Sequence, residues 1–340
     1  MLFWALNIAI IYRGMDLLRH VENWAAPFVL VMTAALLAWI VWAAGGFGVL
    51  FQDHGKFHTI GEFLPVFIPS LTAMIGYWAT LSLNMPDFTR FGKSQREQTV
   101  GQVVALPTTM VLFAAMGIMI TSAAVVVFPN MKADELWDPL KLVGQFSQPV
   151  VVAVSMFTIV IATLSVNIAA NVVSPANDFA NAFPKLISFR TGGLITGIIG
   201  ILMQPWKLLA DPSGYIFSWL LGYSGGLGAI AGVMIADYWL VRNKDLNLGD
   251  LYRTKGIYGG WNWRAVVATL LGCGLALSWW IISFINSLYP IFGTDLDHSE
   301  NTIVFISKHL FDYAWFVGFG VAAIVHLVLM KVLAPRTPTD

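Results

Sequence analysis

Two amides and an indole are the side chains of this sequence whose chemistry asks for an explanation. Asn167 and Asn171 stand four residues apart in the apolar stretch ATLSVNIAANVV, a spacing that puts both on one face of a helix. A carboxamide offers two N–H donors and an acceptor oxygen. Such a pair can read the alternating donor and acceptor edge of a flat ring, or it can hydrogen-bond between helices. Trp78 lies in a second apolar stretch, GYWATLSLN. Its indole face can stack on a planar ring; packing at a membrane interface is the other reading open to one of 14 Trp. Gly76, two residues earlier, lacks a Cβ. That permits either local unwinding with exposed backbone amides or close helix packing.

These groups are informative because of where they sit. Hydrophobic residues make up 57% of the chain and charged residues only 11%, against about a quarter charged in soluble domains. Polar side chains inside lipid-spanning segments are costly and commonly mark a binding site. The balance of 19 basic and 19 acidic residues argues against a nucleic-acid partner. Cys273 is the only cysteine, which excludes a disulfide within the chain and a thiolate metal site. The sequence has no HExxH, no Ser-His-Asp arrangement and no phosphate-cradling GxxxxGK[ST], so neither a metal nor an enzymatic function is expected.

On the ruler of about 20 apolar residues per bilayer crossing, about nine segments qualify, near 2–18, 25–51, 62–84, 101–128, 148–173, 190–206, 213–241, 263–290 and 311–334. The expected fold is an all-α polytopic membrane protein forming a single transmembrane domain in the bilayer. Arg13, then Arg90, Lys93 and Arg96, then Lys185 and Arg190, then Arg242 and Lys244 fall on one set of alternating connections. The positive-inside rule makes that side cytoplasmic, with the C-terminus inside. Pro86 is expected to stop or kink a helix, with Asn84 and Asp87 as cap and turn residues and Arg90 within pairing distance of Asp87. His326 is a histidine inside a span and a candidate proton relay. Asp237, close to Arg242, reads as an interface anchor.

Several motifs, in order, resemble the nucleobase:cation symporter-1 family. NMPDFTRFGKSQREQTVGQ is similar to the signature after the family's sixth helix, and ATLSVNIAANVVSPANDF to its eighth helix and the following turn. GYSGGLGAIAGVMIADYWLVR is similar to its tenth, and FWALNIAIIYRGMDLLRHVENWAAP to its fourth and the turn beyond. The resemblance implies a five-plus-five inverted-repeat fold of the LeuT type. Residues 1–51 would end the first repeat, 62–241 would be the second, and 263–334 two peripheral helices. On this alignment the chain starts at the fourth helix and is expected to lack the first three. That would leave the 340 residues unable to transport alone.

The resemblance further implies a cation-coupled symporter for a planar heterocycle such as allantoin, hydantoin or uracil, in the cytoplasmic membrane, with no cofactor. Trp78 would stack on the ring, Gly76 would offer backbone, and Asn171 with Asn167 would read the polar edge. Ala162 by its carbonyl and Ser165 by its hydroxyl would hold sodium, since a hard cation takes oxygen ligands. Val166 departs from the sodium-coupled pattern, where a Thr hydroxyl is expected, so H+ stands beside Na+ as coupling ion. Gly228 falls in the span the family uses as a thin gate; a static packing interface is the other reading. A non-transporting remnant or membrane scaffold of the same fold is the alternative function.

Overall fold

Hydrocarbon supplies no hydrogen-bond partner for an apolar chain's backbone, so a lipid-spanning segment of this kind must satisfy its own N–H and C=O groups. In the computed structural model every regular element described is helical. Residues 2–13, 15–51, 57–90, 92–132, 135–211, 214–253, 256–287 and 302–331 are described. The ends of two expected spans, 288–290 and 332–334, lie outside them.

The longer helices run α1 (Leu2–Arg13), α2 (Met15–Ala43), α3 (Ile60–Trp78), α4 (Leu81–Thr89), α5 (Gln95–Val127), α6 (Pro149–Ala182), α7 (Phe189–Leu202), α8 (Tyr215–Val241), α9 (Trp263–Ala276), α10 (Ser278–Ser287), α11 (Thr302–Asp312) and α12 (Ala314–Lys331). Six helices among the described residues are long and apolar enough to cross a membrane: α2 from His20 onward, α3, α5, α6, α8 and α12. The pair α9 and α10, bent by 64°, passes the same test of length and composition only when taken together. The other two expected spans are the shorter helices α1 and α7, of 12 and 14 residues.

Two boundaries differ from expectation for a local reason. The second helix already begins at Met15 and runs through Pro27, because a helix-interior proline withholds only its own donor. Likewise α4 continues past Pro86 to Thr89; the 62–84 segment breaks instead at Ala79 and Thr80, directly after Trp78. Helix starts follow the sequence more closely. Thr59 and Ser94 accept from the backbone N–H of Glu62 and Glu97, three residues on, the arrangement of an S/T-x-x-E cap. Wide π-helical turns interrupt α5 at Gly101–Ala105, α6 at Ala169–Val173 and α8 at both Tyr215–Leu220 and Asp237–Val241.

The helices sort into two compact units. The first comprises residues 1–55 and 85–204. Its core pairs Ile10 and Ile11 of α1 with Leu164, Ile168, Val172 and Val173 of α6. A second cluster joins Ile40 and Ala44 to Ile120, Ala123 and Ala124 of α5. Helices α1 and α7 approach closely through glycine: a Cβ on Gly193 would stand 2.5 Å from Ile11 Cγ2, and one on Gly197 2.4 Å from Ile8 Cδ1.

The second unit comprises residues 56–84 and 205–340. Its central helix is α8, buried over 67% of its span where the other five crossing helices are at most 22% buried. Gly225, Gly228 and Gly232 recur at helical spacing on the face toward α12, so the two backbones can approach without side chains between them. A Cβ on Gly228 would lie 2.5 Å from the Trp315 carbonyl oxygen, and one on Gly232 2.3 Å from that of Phe319. Gly318 returns the contact, 2.3 Å from the Gly225 carbonyl. Valine at Gly228 or Gly232 is therefore expected to lower stability by about 1–3 kcal/mol, as overpacking does. Gly226→Ala meets nothing within 4 Å and should leave thermal unfolding in detergent unchanged.

Candidate functional site

The sequence-derived site residues divide between the two units. In the first, Asn167 and Asn171 belong to α6, and Asn171 lies inside its π-helical turn. Such turns carry one extra residue and recur at functional sites because they re-aim side chains. Asn171 Nδ2 donates to Asn167 Oδ1 at 3.0 Å. Asn167 Nδ2 in turn donates to Oδ1 of Asn7 at 2.9 Å. Asn7, only 4% exposed on α1, completes the series by donating from Nδ2 to the Phe3 carbonyl at 2.7 Å. Three amides thus form a relay from an exposed end at Asn171, through the buried side chain of Asn7, to the Phe3 carbonyl.

Ala162 and Ser165 lie on the same helix, both half-buried. Ala162 is on the wall of a cavity of about 800 Å³ that α2, α5 and α6 share with the segment around Trp137 and Leu142. The cavity hydroxyls of Thr33, Thr121 and Thr158 donate to carbonyls one turn earlier, at 2.8, 3.0 and 2.9 Å, so its wall is apolar in character. Val166 is 53% exposed and brings no oxygen in its side chain. No group of three His, Cys, Asp or Glu side chains suited to a metal occurs among the described residues.

Downstream in the same unit, Asp87 and Arg90 meet through a third residue. Asn177, 7% exposed, donates Nδ2 to Asp87 Oδ1 at 3.0 Å and accepts on Oδ1 from Arg90 Nη2 at 3.2 Å. The polar end of α4 is thereby tied to α6. Asn84 is half-buried in α4 and accepts no helix-capping role: its N–H bonds the Thr80 carbonyl at 3.0 Å inside the helix.

In the second unit, Trp78 is the last residue of α3 and half-buried, its ring edge-on to Tyr77 at 5.2 Å. Gly76 is buried within α3; a Cβ there would stand 2.5 Å from the Leu220 carbonyl of α8, a close-packing position. Gly228 sits in the α8–α12 seam. The same seam holds an ionisable pair: His326, fully buried, faces Oδ1 of the half-buried Asp237 through Nε2 at 3.0 Å, and Arg242 Nε donates to the other carboxylate oxygen. Asp237 therefore links a histidine on α12 to the cationic end of α8.

Asn7 and Asn177 are the residues that sequence reasoning passed over. Asn177 stands within SPANDF, outside the apolar part of its helix, and Asn7 in FWALNIAII is as conspicuous an amide as those in ATLSVNIAA.

A bundle with six helices long and apolar enough to cross a membrane among the described residues is that of an integral membrane protein. Residues 1–318 match the family model described as permease for cytosine/purines, uracil, thiamine, allantoin, and the chain belongs to that family. It is 40% identical over 339 residues to an allantoin permease of Bacillus subtilis (strain 168), covering 98% of this chain and 64% of the relative. It is 38% identical over 340 residues to a purine-uracil permease of Arabidopsis thaliana, covering 98% of this chain and 53% of that one. The chain thus spans between about half and two thirds of the length of these relatives. Its fold matches MHP1, a nucleobase-cation-symport-1 family transporter solved in a closed conformation with bromovinylhydantoin bound, at a TM-score of 0.66 and 24% identity, over 99% of this chain and 67% of that one. The architecture is accordingly of the LeuT type.

The Asp87–Asn177–Arg90 bridge gives a direct test of its structural weight. Asn177→Leu leaves a carboxylate and a guanidinium without their buried partner and is expected to cost about 1–3 kcal/mol, read as a lower unfolding temperature in detergent.

Proposed function

We propose that this chain serves in a secondary active symporter for a planar, uncharged, nucleobase-like heterocycle, one that works by alternating access. The observation that carries the reading is the amide series ending at Asn171, set in a π-helical turn of a membrane-crossing helix in a permease-family chain. Amides at that depth are costly, and an exposed amide matches the N–H and C=O edge of a cyclic ureide or imide. Allantoin, hydantoin and uracil are the ring classes we favour. The relatives named allantoin permease and purine-uracil permease support this class, as does a hydantoin permease of Microbacterium maritypicum at 27% identity.

In this reading Trp78 stacks on the ring and Asn171 reads its edge, supported by Asn167; Gly76 allows the backbone near Trp78 to approach. The Ala162 carbonyl and Ser165 hydroxyl hold the coupling cation. Because Val166 contributes no oxygen, sodium is held by fewer ligands than a Thr would give, and proton coupling competes with sodium coupling. Asn84, Asp87, Arg90 and Gly228 belong to the moving parts rather than the ring site. Residues 1–51 end the first inverted repeat, 62–241 make the second, and 263–334 are peripheral. The basic connections face the cytoplasm, with the C-terminus inside the cell membrane. The protein moves its substrate without altering it.

Two outcomes are expected. Hydantoin, allantoin and uracil, titrated onto purified protein, should include a ring that quenches Trp fluorescence. Trp78→Ala should weaken its binding at least about tenfold, equivalent to about 1.4 kcal/mol, while Trp78→Phe retains most of it; equal binding by Trp78→Ala would sink the stacking assignment. Val166→Thr should raise the sodium dependence of binding, because it restores a hydroxyl ligand.

A further inference from the structure

We infer that Asn7 is a positioning residue that fixes which edge of the Asn171 amide is presented to substrate. This rests on the proposed function, and it adds a specificity determinant on a different helix from the ring-reading residues. The reasoning starts from the buried end of the relay. A backbone carbonyl can only accept, so the atom of Asn7 that approaches the Phe3 oxygen at 2.7 Å must be its NH2 group. The far side of the Asn7 amide is then its oxygen, which obliges Asn167 to present NH2 at 2.9 Å. The same logic passes the polarity on: Asn167 offers its oxygen, and Asn171 must turn an N–H toward it at 3.0 Å.

The orientation of Asn171 is thus dictated three amides away, by the one group in the series that has no alternative polarity. With one N–H committed, Asn171 turns its oxygen and second N–H outward. That is an acceptor and a donor side by side, the complement of a ring carrying adjacent N–H and C=O groups. Burial of the Asn7 side chain strengthens the device: Asn7 is 4% exposed, and inverting its amide would set oxygen against the Phe3 oxygen and forfeit that hydrogen bond. Without Asn7, Asn167 and Asn171 could invert together, and the outward face would no longer be unique.

The test compares hydantoin, allantoin and uracil with their mono-N-methylated forms, which lack one ring N–H, on the full chain in detergent. For whichever ring binds, the unmodified form should be preferred. Asn7→Leu fills the same space without polarity, and is expected to reduce that preference about tenfold, the scale of one oriented hydrogen bond. Asn7→Asp is the conservative rescue. In its protonated form it donates to the Phe3 carbonyl and accepts from Asn167, so the polarity of the relay survives and the wild-type preference should be kept at acid pH. Thermal unfolding establishes that each variant is folded. The inference is overturned if Asn7→Leu keeps the wild-type preference, or if both variants lose affinity for methylated and unmethylated rings in equal proportion, as a purely structural residue would. If the wild-type protein binds none of the rings, the proposed function fails and this inference falls with it; a wild type that binds with preference separates the two.

Discussion

Lipid cannot hydrogen-bond, and each polar group carried into it must find a partner within the protein or cost several kcal/mol. The polar features of this chain are arranged around that requirement. Threonine hydroxyls on the cavity wall turn back to carbonyls of their own helix. The amides of Asn7, Asn167 and Asn171 join into a series that ends on a backbone oxygen. His326, with no exposure at all, faces the carboxylate that also receives Arg242. The Asn167–Asn7 and His326–Asp237 bonds join two helices each, so satisfying those polar groups also fixes the packing of the helices that carry them.

The same requirement explains why the chemistry collects at irregular backbone. A regular helix consumes its own amides and carbonyls and has little to offer a ligand. The π-helical turn around Asn171 and the break after Trp78 are departures from regularity within apolar segments, and both coincide with the side chains suited to a flat, polar-edged ring. Elsewhere regularity is kept even at some cost, as where α2 and α4 continue through Pro27 and Pro86. A proline removes one bond of a long ladder, while the flanking apolar residues gain from staying helical.

Much of this was legible in the residues. The apolar runs gave the crossing helices. The four-residue spacing of Asn167 and Asn171 put both on one face of α6, where they hydrogen-bond to each other. What could not be read was anything that depends on a partner distant in the chain. The neighbour of Asn167 is Asn7, 160 residues away, and the bridge between Asp87 and Arg90 is Asn177, some 90 residues on. Gly76 and Gly228 looked equally suited to bending and to packing; the carbonyl facing each one is what shows them to be contact points. Helix length misled in one place, since α1 is short by the bilayer ruler yet supplies the buried end of the amide series.

The glycine seam between α8 and α12 has a mechanical consequence. Where Gly228 and Gly232 meet the carbonyls of Trp315 and Phe319, backbone lies directly on backbone, and there are no flexible side chains to deform. Sliding one helix by a fraction of a turn would drive carbonyl oxygens into Cα atoms, so the surface behaves like meshed teeth. The registers open to it are whole helical turns apart, about 5.4 Å. The Asp237–His326 contact pins the present register at one end. Helices α8 and α12 therefore travel as a single strut, and any motion involving α8 carries the last helix of the chain with it.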